Sequence, residues 1–197
     1  NVFIYNSPFQ SLVACALASY RDNPRATPIM SFTEDLWKRR VLPVWDQVMG
    51  VHGGWHEGGE YVGIGIGQAV YSVPAMWRSA TGEDLFDGHP GIRGFLDFLV
   101  HRNRPDNTDM RWGDAANFQR PSPDLLPLAI ETGHREAYSL RGCPPPGVPS
   151  NWPWGPLTTD TLCISKPDEQ QYPTARLLDG IGMVLARSDW TANATFV

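Results

Sequence analysis

The hydrophobic period changes once along this 197-residue chain. Up to residue 141, apolar residues recur every three or four positions, a spacing typical of amphipathic helices. From residue 173 onward, apolar residues alternate with polar or small ones in 180–190 and 193–197, which indicates β-strands. The sequence therefore predicts a mainly α protein with a β C-terminal part. The predicted helices fall within 7–20, 31–50, 60–81, 90–104 and 122–140.

Several residues predict where these helices begin and what they bury. Asn6 or Ser7 before Pro8 is typical of a helix N-cap. The stretch beginning at Ser31, with glutamate three residues later, predicts a capping box, and Pro43 predicts a kink. Cys15 lies in an apolar run and is expected in the core.

Composition divides the chain into three parts. Residues 1–141 carry the helical pattern, 142–172 are rich in proline, glycine and tryptophan and predict a packed connector, and 173–197 carry the strands. Helices followed by strands suggest two domains. Because the chain stops within a predicted strand, we expect it to be a fragment whose second domain is truncated.

Charge and motif content exclude several functions. A net charge of −5 disfavours nucleic acid as a partner, and without a run of about 18 apolar residues no membrane span is predicted. The three cysteines do not have the spacing of zinc ligands. Cys143 and Cys163 could form a disulfide in an oxidising compartment. No G-x-S-x-G elbow of a serine hydrolase occurs.

Two polar clusters could carry chemistry. Residues 53–61, GGWHEGGEY, place Trp55, His56, Glu57 and Tyr61 among glycines that allow the backbone to approach a ligand closely. The second cluster, RWGDAAN at 111–117, contains a tryptophan and an aspartate. Either cluster could instead be a polar turn. Eight tryptophans favour carbohydrate, because aromatic rings suit the apolar faces of sugars.

Three stretches together resemble the heparinase II/III-like polysaccharide lyases and their oligoalginate lyase relatives. They are YNSPFQSLVACALASYRDNPRA, GGWHEGGEYVG and GIGMVLARSDWTANATFV. The resemblance implies a helical (α/α) toroid segment followed by the start of an antiparallel β-sandwich. It also implies β-elimination on an acidic polysaccharide or oligosaccharide and a periplasmic or secreted location.

The resemblance implies roles for particular residues. Tyr61 takes the position of the catalytic tyrosine, and Asn6 that of the asparagine that meets the substrate carboxylate. Ser7 stands where the family often has histidine. The substrate-binding residues are then His56, Glu57, Trp55, Ser7, Trp112 and Asp114. No cofactor is implied within this chain, although some members bind zinc in the sandwich beyond the last strand present here.

Two alternatives remain open. A helical-toroid glycoside hydrolase needs two facing carboxylic acids, for which Glu57 and Asp114 are the best pair. A non-catalytic carbohydrate-binding protein could keep the same fold, and serine instead of histidine at position 7 leaves that possibility open.

Overall fold

The computed structural model describes residues 2–106, 108–113, 126–134 and 172–197. Within these ranges, residues 2–7, 60, 64 and 126 are described by their backbone alone. The described part is mostly helical with a small antiparallel sheet near the C-terminus, which confirms the predicted fold class at this level. The toroid and the sandwich remain predictions, as do the domain boundaries. Cys143, Cys163 and Asp114 lie outside the described residues.

Two pairs of α-helical segments are joined through π-helical turns instead of breaks. The first half contains α1 (Val2–Tyr20), a 3-10 turn (Pro24–Ala26), α2 (Thr27–Leu36), a π turn (Trp37–Val41) and α3 (Leu42–Val48). The second half contains α4 (Gly59–Tyr61), a π turn (Val62–Ile66), α5 (Gly67–Thr81), α6 (Pro90–Arg102) and α7 (Leu126–Glu131). Pro43 lies directly after the first π turn, inside a helix that is continuous from Thr27 to Val48, so its missing N–H falls where the regular α-helical hydrogen bonding changes.

Aromatic side chains form the centre of the helical core. Trp37 is fully buried, and its ring lies 5.1 Å from Trp45, 5.7 Å from Phe9 and 6.4 Å from Trp77. These rings come from α1, α3, α5 and the first π turn, so one cluster holds the helices together. Its edge-to-face and tilted geometry is the arrangement that aromatic quadrupoles favour.

Helix α6 is the most deeply buried element. Every residue from Phe95 to Asn103 is buried, including charged and polar ones. A helix that is buried on all sides must be surrounded by other elements. It packs against α3, α7 and the C-terminal sheet.

The C-terminal sheet packs on this helix. Strands β1 (Ala175–Leu178) and β2 (Met183–Ala186) pair antiparallel, with Leu178 opposite Met183. Leu178 and Leu185 are buried in the same core as the helices. Arg187 donates to the carbonyls of His101 (2.8 Å) and Asn103 (2.7 Å) at the end of α6. These bonds satisfy helix carbonyls that have no intrahelical partner.

Three local predictions are wrong. Asn6 and Ser7 lie inside α1 and do not cap it. Ser31 lies inside α2, which begins four residues earlier, at Thr27, so it forms no capping box. Cys15 is exposed because it lies on the outer face of α1, between the buried Val13 and Ala16.

Candidate functional site

The loop between α3 and α4 has the strained backbone that its glycines predict. Gly53, Gly54 and Gly58 have φ of 91°, 111° and 97°, in the left-handed region that glycine tolerates best. His52 also has a positive φ, of 63°. Four residues with positive φ therefore lie within seven positions of this loop.

Close backbone approaches hold the loop in place. A Cβ on Gly53 would lie 2.6 Å from the Gly94 carbonyl oxygen in α6, and one on Gly54 would lie 2.8 Å from Ile181 in the turn between β1 and β2. Both distances are too short for a side chain. The glycines therefore let the loop fit between α6 and the C-terminal hairpin.

Trp55 links the loop to the core and orients its neighbours. The indole is 3% exposed, and its Nε1 lies 3.4 Å from a carboxylate oxygen of Glu57. The ring of His56 lies 4.8 Å from that of Trp55, and His56 is exposed. A buried tryptophan thus supports a histidine at the surface and a half-buried carboxylate.

A backbone bridge brings the second predicted cluster to the loop. Gly58 and Gly113 form an antiparallel bridge, and the N–H of Gly59 donates to the Trp112 carbonyl at 2.9 Å. Gly59 begins the turn that carries Tyr61, which is half-buried. The structure therefore brings together the Trp55–Tyr61 segment and Trp112, which lie far apart in the sequence.

A buried arginine lies beneath this junction. Arg102 is fully buried in the last turn of α6, forms an ion pair with Asp109 and donates to the Gly59 carbonyl at 3.3 Å. Its guanidinium lies 5.3 Å from the ring centroid of Phe98. Sequence reasoning missed this residue, because a lone arginine at a helix end is most often exposed.

Trp112 also lines a cleft of about 720 Å³ between the loop after α6 and the C-terminal strands. Arg104, Arg111 and Met110 line one wall, and residues of β2 and of 192–197 line the other. Arg104 lies 3.4 Å from the carboxylate of Asp106. A hydrogen bond from the Thr108 hydroxyl lowers the pKa of Asp106 and keeps this loop carboxylate ionised. The cleft therefore combines the rings of Trp112 and Phe196 with two guanidinium groups and the carboxylate of Asp106.

Sequence reasoning identified only part of this cleft. Arg111 belongs to the predicted cluster around Trp112, but Arg104 was missed. The available signal was the pair of arginines at positions 102 and 104, which ends an apolar helix and precedes a proline. No local pattern, however, indicates that the C-terminal strands close the other wall.

The predicted residues near the N-terminus are placed only by their backbone. Asn6 and Ser7 belong to α1, which packs along α5 and the π turn that directly follows Tyr61. The Ser72 hydroxyl in α5 donates to the Gln10 side chain of α1 at 2.5 Å. The helix that carries Asn6 thus runs beside the element that begins after Tyr61.

A larger cleft, of about 920 Å³, lies between α1, α2 and α5. Its walls are mostly apolar, and none of the predicted site residues lines it. We regard the smaller cleft as the candidate site because Trp112, a predicted site residue, lines it together with Arg104 and Arg111. Tyr61, His56 and Glu57 do not line this cleft; they belong to the segment that the Gly59 hydrogen bond joins to Trp112. Within the described ranges, no three histidine, cysteine, aspartate or glutamate side chains cluster as metal ligands, and no helix has the length and apolar content to cross a membrane.

No family model, curated protein or solved structure matches this chain.

Proposed function

We propose that the protein is a polysaccharide lyase of the heparinase II/III-like type, which cleaves a uronate-containing glycan by β-elimination. The proposal includes the toroid-and-sandwich fold of that family and a periplasmic or secreted location. The observation that carries it is the Gly59 to Trp112 hydrogen bond, which joins the turn bearing Tyr61 to the edge of an arginine-lined cleft.

The cleft suits a chain of acidic sugars. Guanidinium groups bind carboxylates through paired, charge-assisted hydrogen bonds, and Arg104 and Arg111 both line the cleft. A ligand carboxylate would share Arg104 with Asp106, which lies 3.4 Å from it. The ring of Trp112 can pack against the apolar face of a sugar. A glycan with one carboxylate per sugar would therefore find both kinds of contact in a single cleft.

The reaction needs a base and a stabilised carboxylate. In this proposal Tyr61 takes the C5 proton of the uronate, the electrons of the C–H bond form the C4–C5 double bond, and the C4–O bond breaks. Tyr61 then returns the proton to the leaving oxygen, acting as base and acid in turn. Asn6 hydrogen-bonds the carboxylate as negative charge develops on it. His56, Glu57, Ser7 and Asp114 contact the sugar, whereas Trp55, at 3% exposed, supports the loop from the core instead of binding substrate.

The test is the ultraviolet absorbance of the unsaturated product, measured with uronate-containing glycans. Tyr61→Phe should lower kcat by at least about 10²-fold, which is the usual contribution of general acid–base catalysis. Tyr20→Phe is the matched control, because Tyr20 is half exposed at the end of α1 and lines the larger cleft instead of belonging to the loop and turn that carry Tyr61. A Tyr61→Phe variant with the wild-type rate would overturn the assignment.

A second candidate is binding of an acidic glycan without cleavage. It is favoured by the same cleft, since Arg104, Arg111 and Trp112 could bind the glycan whether or not a reaction follows. Calorimetric binding by a wild-type protein that leaves the glycan intact, with binding lost in Trp112→Ala, would select this function. Products that have gained water would instead indicate a glycoside hydrolase using Glu57 and Asp114.

A further inference from the structure

We propose that Arg102 is a positioning residue: its buried guanidinium fixes the Gly58–Gly59 backbone and thereby sets where Tyr61 meets the substrate. This inference rests on the proposed lyase function. It assigns a role to a residue that itself touches no substrate.

The burial of Arg102 calls for a reason other than stability. Its side chain is 0% exposed and that of its partner Asp109 is 10% exposed. An ion pair taken out of water gains little, since the cost of desolvation offsets the attraction, and an apolar side chain of similar volume often serves stability as well. Buried pairs of this kind can instead fix one particular arrangement of the surrounding backbone.

Arg102 holds one of the two polar groups of Gly59. The carbonyl of Gly59 accepts from Arg102 Nη2 at 3.3 Å, while its N–H donates to the Trp112 carbonyl at 2.9 Å. Both anchors are needed because glycines at positions 58 and 59 leave the backbone free to rotate. Tyr61 follows two residues later, at the end of the same turn.

Asp109 connects Arg102 to the arginines of the cleft. Asp109 forms an antiparallel bridge with Asn103, and the N–H of Arg104 donates to the Thr108 carbonyl at 3.1 Å, so residues 103–104 are paired with residues 108–109. This segment supplies Arg104 and leads directly to Trp112. The Arg102–Asp109 pair therefore fixes the separation between the carboxylate-binding side chains and Tyr61.

Arg102→Lys tests the proposal. Arg102 Nη2 meets both the Gly59 carbonyl and the Asp109 carboxylate. Lysine keeps a positive charge for Asp109, but its shorter and more flexible side chain would not hold an ammonium group at the position of Nη2. We expect kcat on a uronate glycan to fall about 10²-fold, the effect of a small misplacement of a reacting group, with KM within about twofold of the wild type. Arg93→Lys is the matched control, because Arg93 lies on the same helix, pairs with Asp97 at 3.3 Å and is partly exposed. Its kinetics should not change.

A second variant tests the proposal in case Arg102→Lys does not fold. Asp109→Asn keeps the shape and an acceptor but weakens the hold on Arg102, and it should show the same fall in kcat with KM retained. Circular dichroism establishes that each variant is folded. An unchanged kcat in a folded variant, or loss of folding in both, overturns the positioning role.

The wild type and Tyr61→Phe separate this inference from the proposed function. If the wild type forms unsaturated product and Tyr61→Phe does not, the lyase function stands and the Arg102 and Asp109 variants alone decide the positioning role. If the wild type forms no unsaturated product, the proposed function fails and the inference fails with it.

Discussion

His101 is a titratable group enclosed where the sheet meets α6. It is 1% exposed, its ring packs edge-on against Trp190 at 5.5 Å, and its Nε2 has no hydrogen-bond partner among the described residues. Burial, together with the charges of Arg176 and Arg187, lowers the pKa of His101 from 6.5 to about 3. The folded protein therefore holds this imidazole neutral.

The lowered pKa of His101 predicts that acid destabilises the fold. As the pH falls below 6.5, the unfolded chain binds a proton at this residue, whereas the folded chain does not until about pH 3. The free energy of unfolding should fall through this window by about 1.4 kcal/mol per pH unit from this group. His101→Phe should reduce that slope in urea-unfolding measurements, while above the window the two slopes should agree. Identical slopes throughout would contradict the prediction.

Helix α2 begins before Ser31, the residue that the sequence indicated as its N-cap. Asn23 caps the 3-10 turn that precedes the helix, with its side-chain oxygen accepting from the Arg25 N–H at 3.0 Å. Ser31 is exposed within the helix. Because Pro24 and Pro28 are compatible with a first helical turn, the helix begins before the serine that suggested a capping box.

Alanine substitutions at Asn23 and Ser31 test which of the two residues stabilises the start of the helix. Asn23→Ala should lower the free energy of unfolding by about 1 kcal/mol, the usual cost of losing an N-cap. Ser31→Ala should change it by no more than about 0.5 kcal/mol, since the hydroxyl is at the surface of a helix interior. Thermal or urea unfolding measures both. A larger loss at position 31 than at position 23 would favour the capping box instead.

Periodicity predicted the helices well and the strands in part. The apolar spacing in α1, α5 and α6 is long enough for the period to be recognised. Strand β1 was missed because its four residues, ARLL, are too few to show alternation, although it pairs with β2 as a hairpin across the short glycine-containing turn at 179–182. Part of the predicted strand around residue 181 is the turn between the two strands.

At the scale of the whole molecule, helices and sheet share one core. Leu178 in β1 is fully buried with residues of the helices, whereas its neighbour Leu177 is 52% exposed on the outer face of the sheet. Arg176 also pairs with Asp97 of α6 at 2.9 Å. Unfolding of the described sheet should therefore be coupled to unfolding of the helices.

Leu178→Ala and Leu177→Ala test this coupling. Removing the buried side chain should lower stability by about 2–5 kcal/mol, as for other leucines in cores. The loss should appear in the helical circular dichroism signal although the substitution is in a strand. Leu177→Ala should cost less than about 1 kcal/mol, in keeping with its exposure. A helical transition that Leu178→Ala leaves in place would show that the sheet unfolds separately.

The candidate site could be predicted only where its chemistry is local. Glycines and a tyrosine within nine residues identified the loop, because positive φ is a property of single positions. Arg102 and Arg104 could not be identified, since their importance depends on which distant carbonyl and which strands lie against them. Tertiary contacts decide those roles.

The π turn at Val62–Ile66 bears on how relatives of this chain should be aligned. The backbone N–H of Gly67 donates to the carbonyl of Val62, five residues earlier. The turn therefore contains one residue more than an α-helical turn would. Because the extra residue is absorbed within one wide turn, deleting one residue here would restore a regular helix and leave the direction of Tyr61 relative to α5 nearly unchanged. A single-residue gap at this point would thus be compatible with a homologue that keeps both the helices and the placement of its tyrosine.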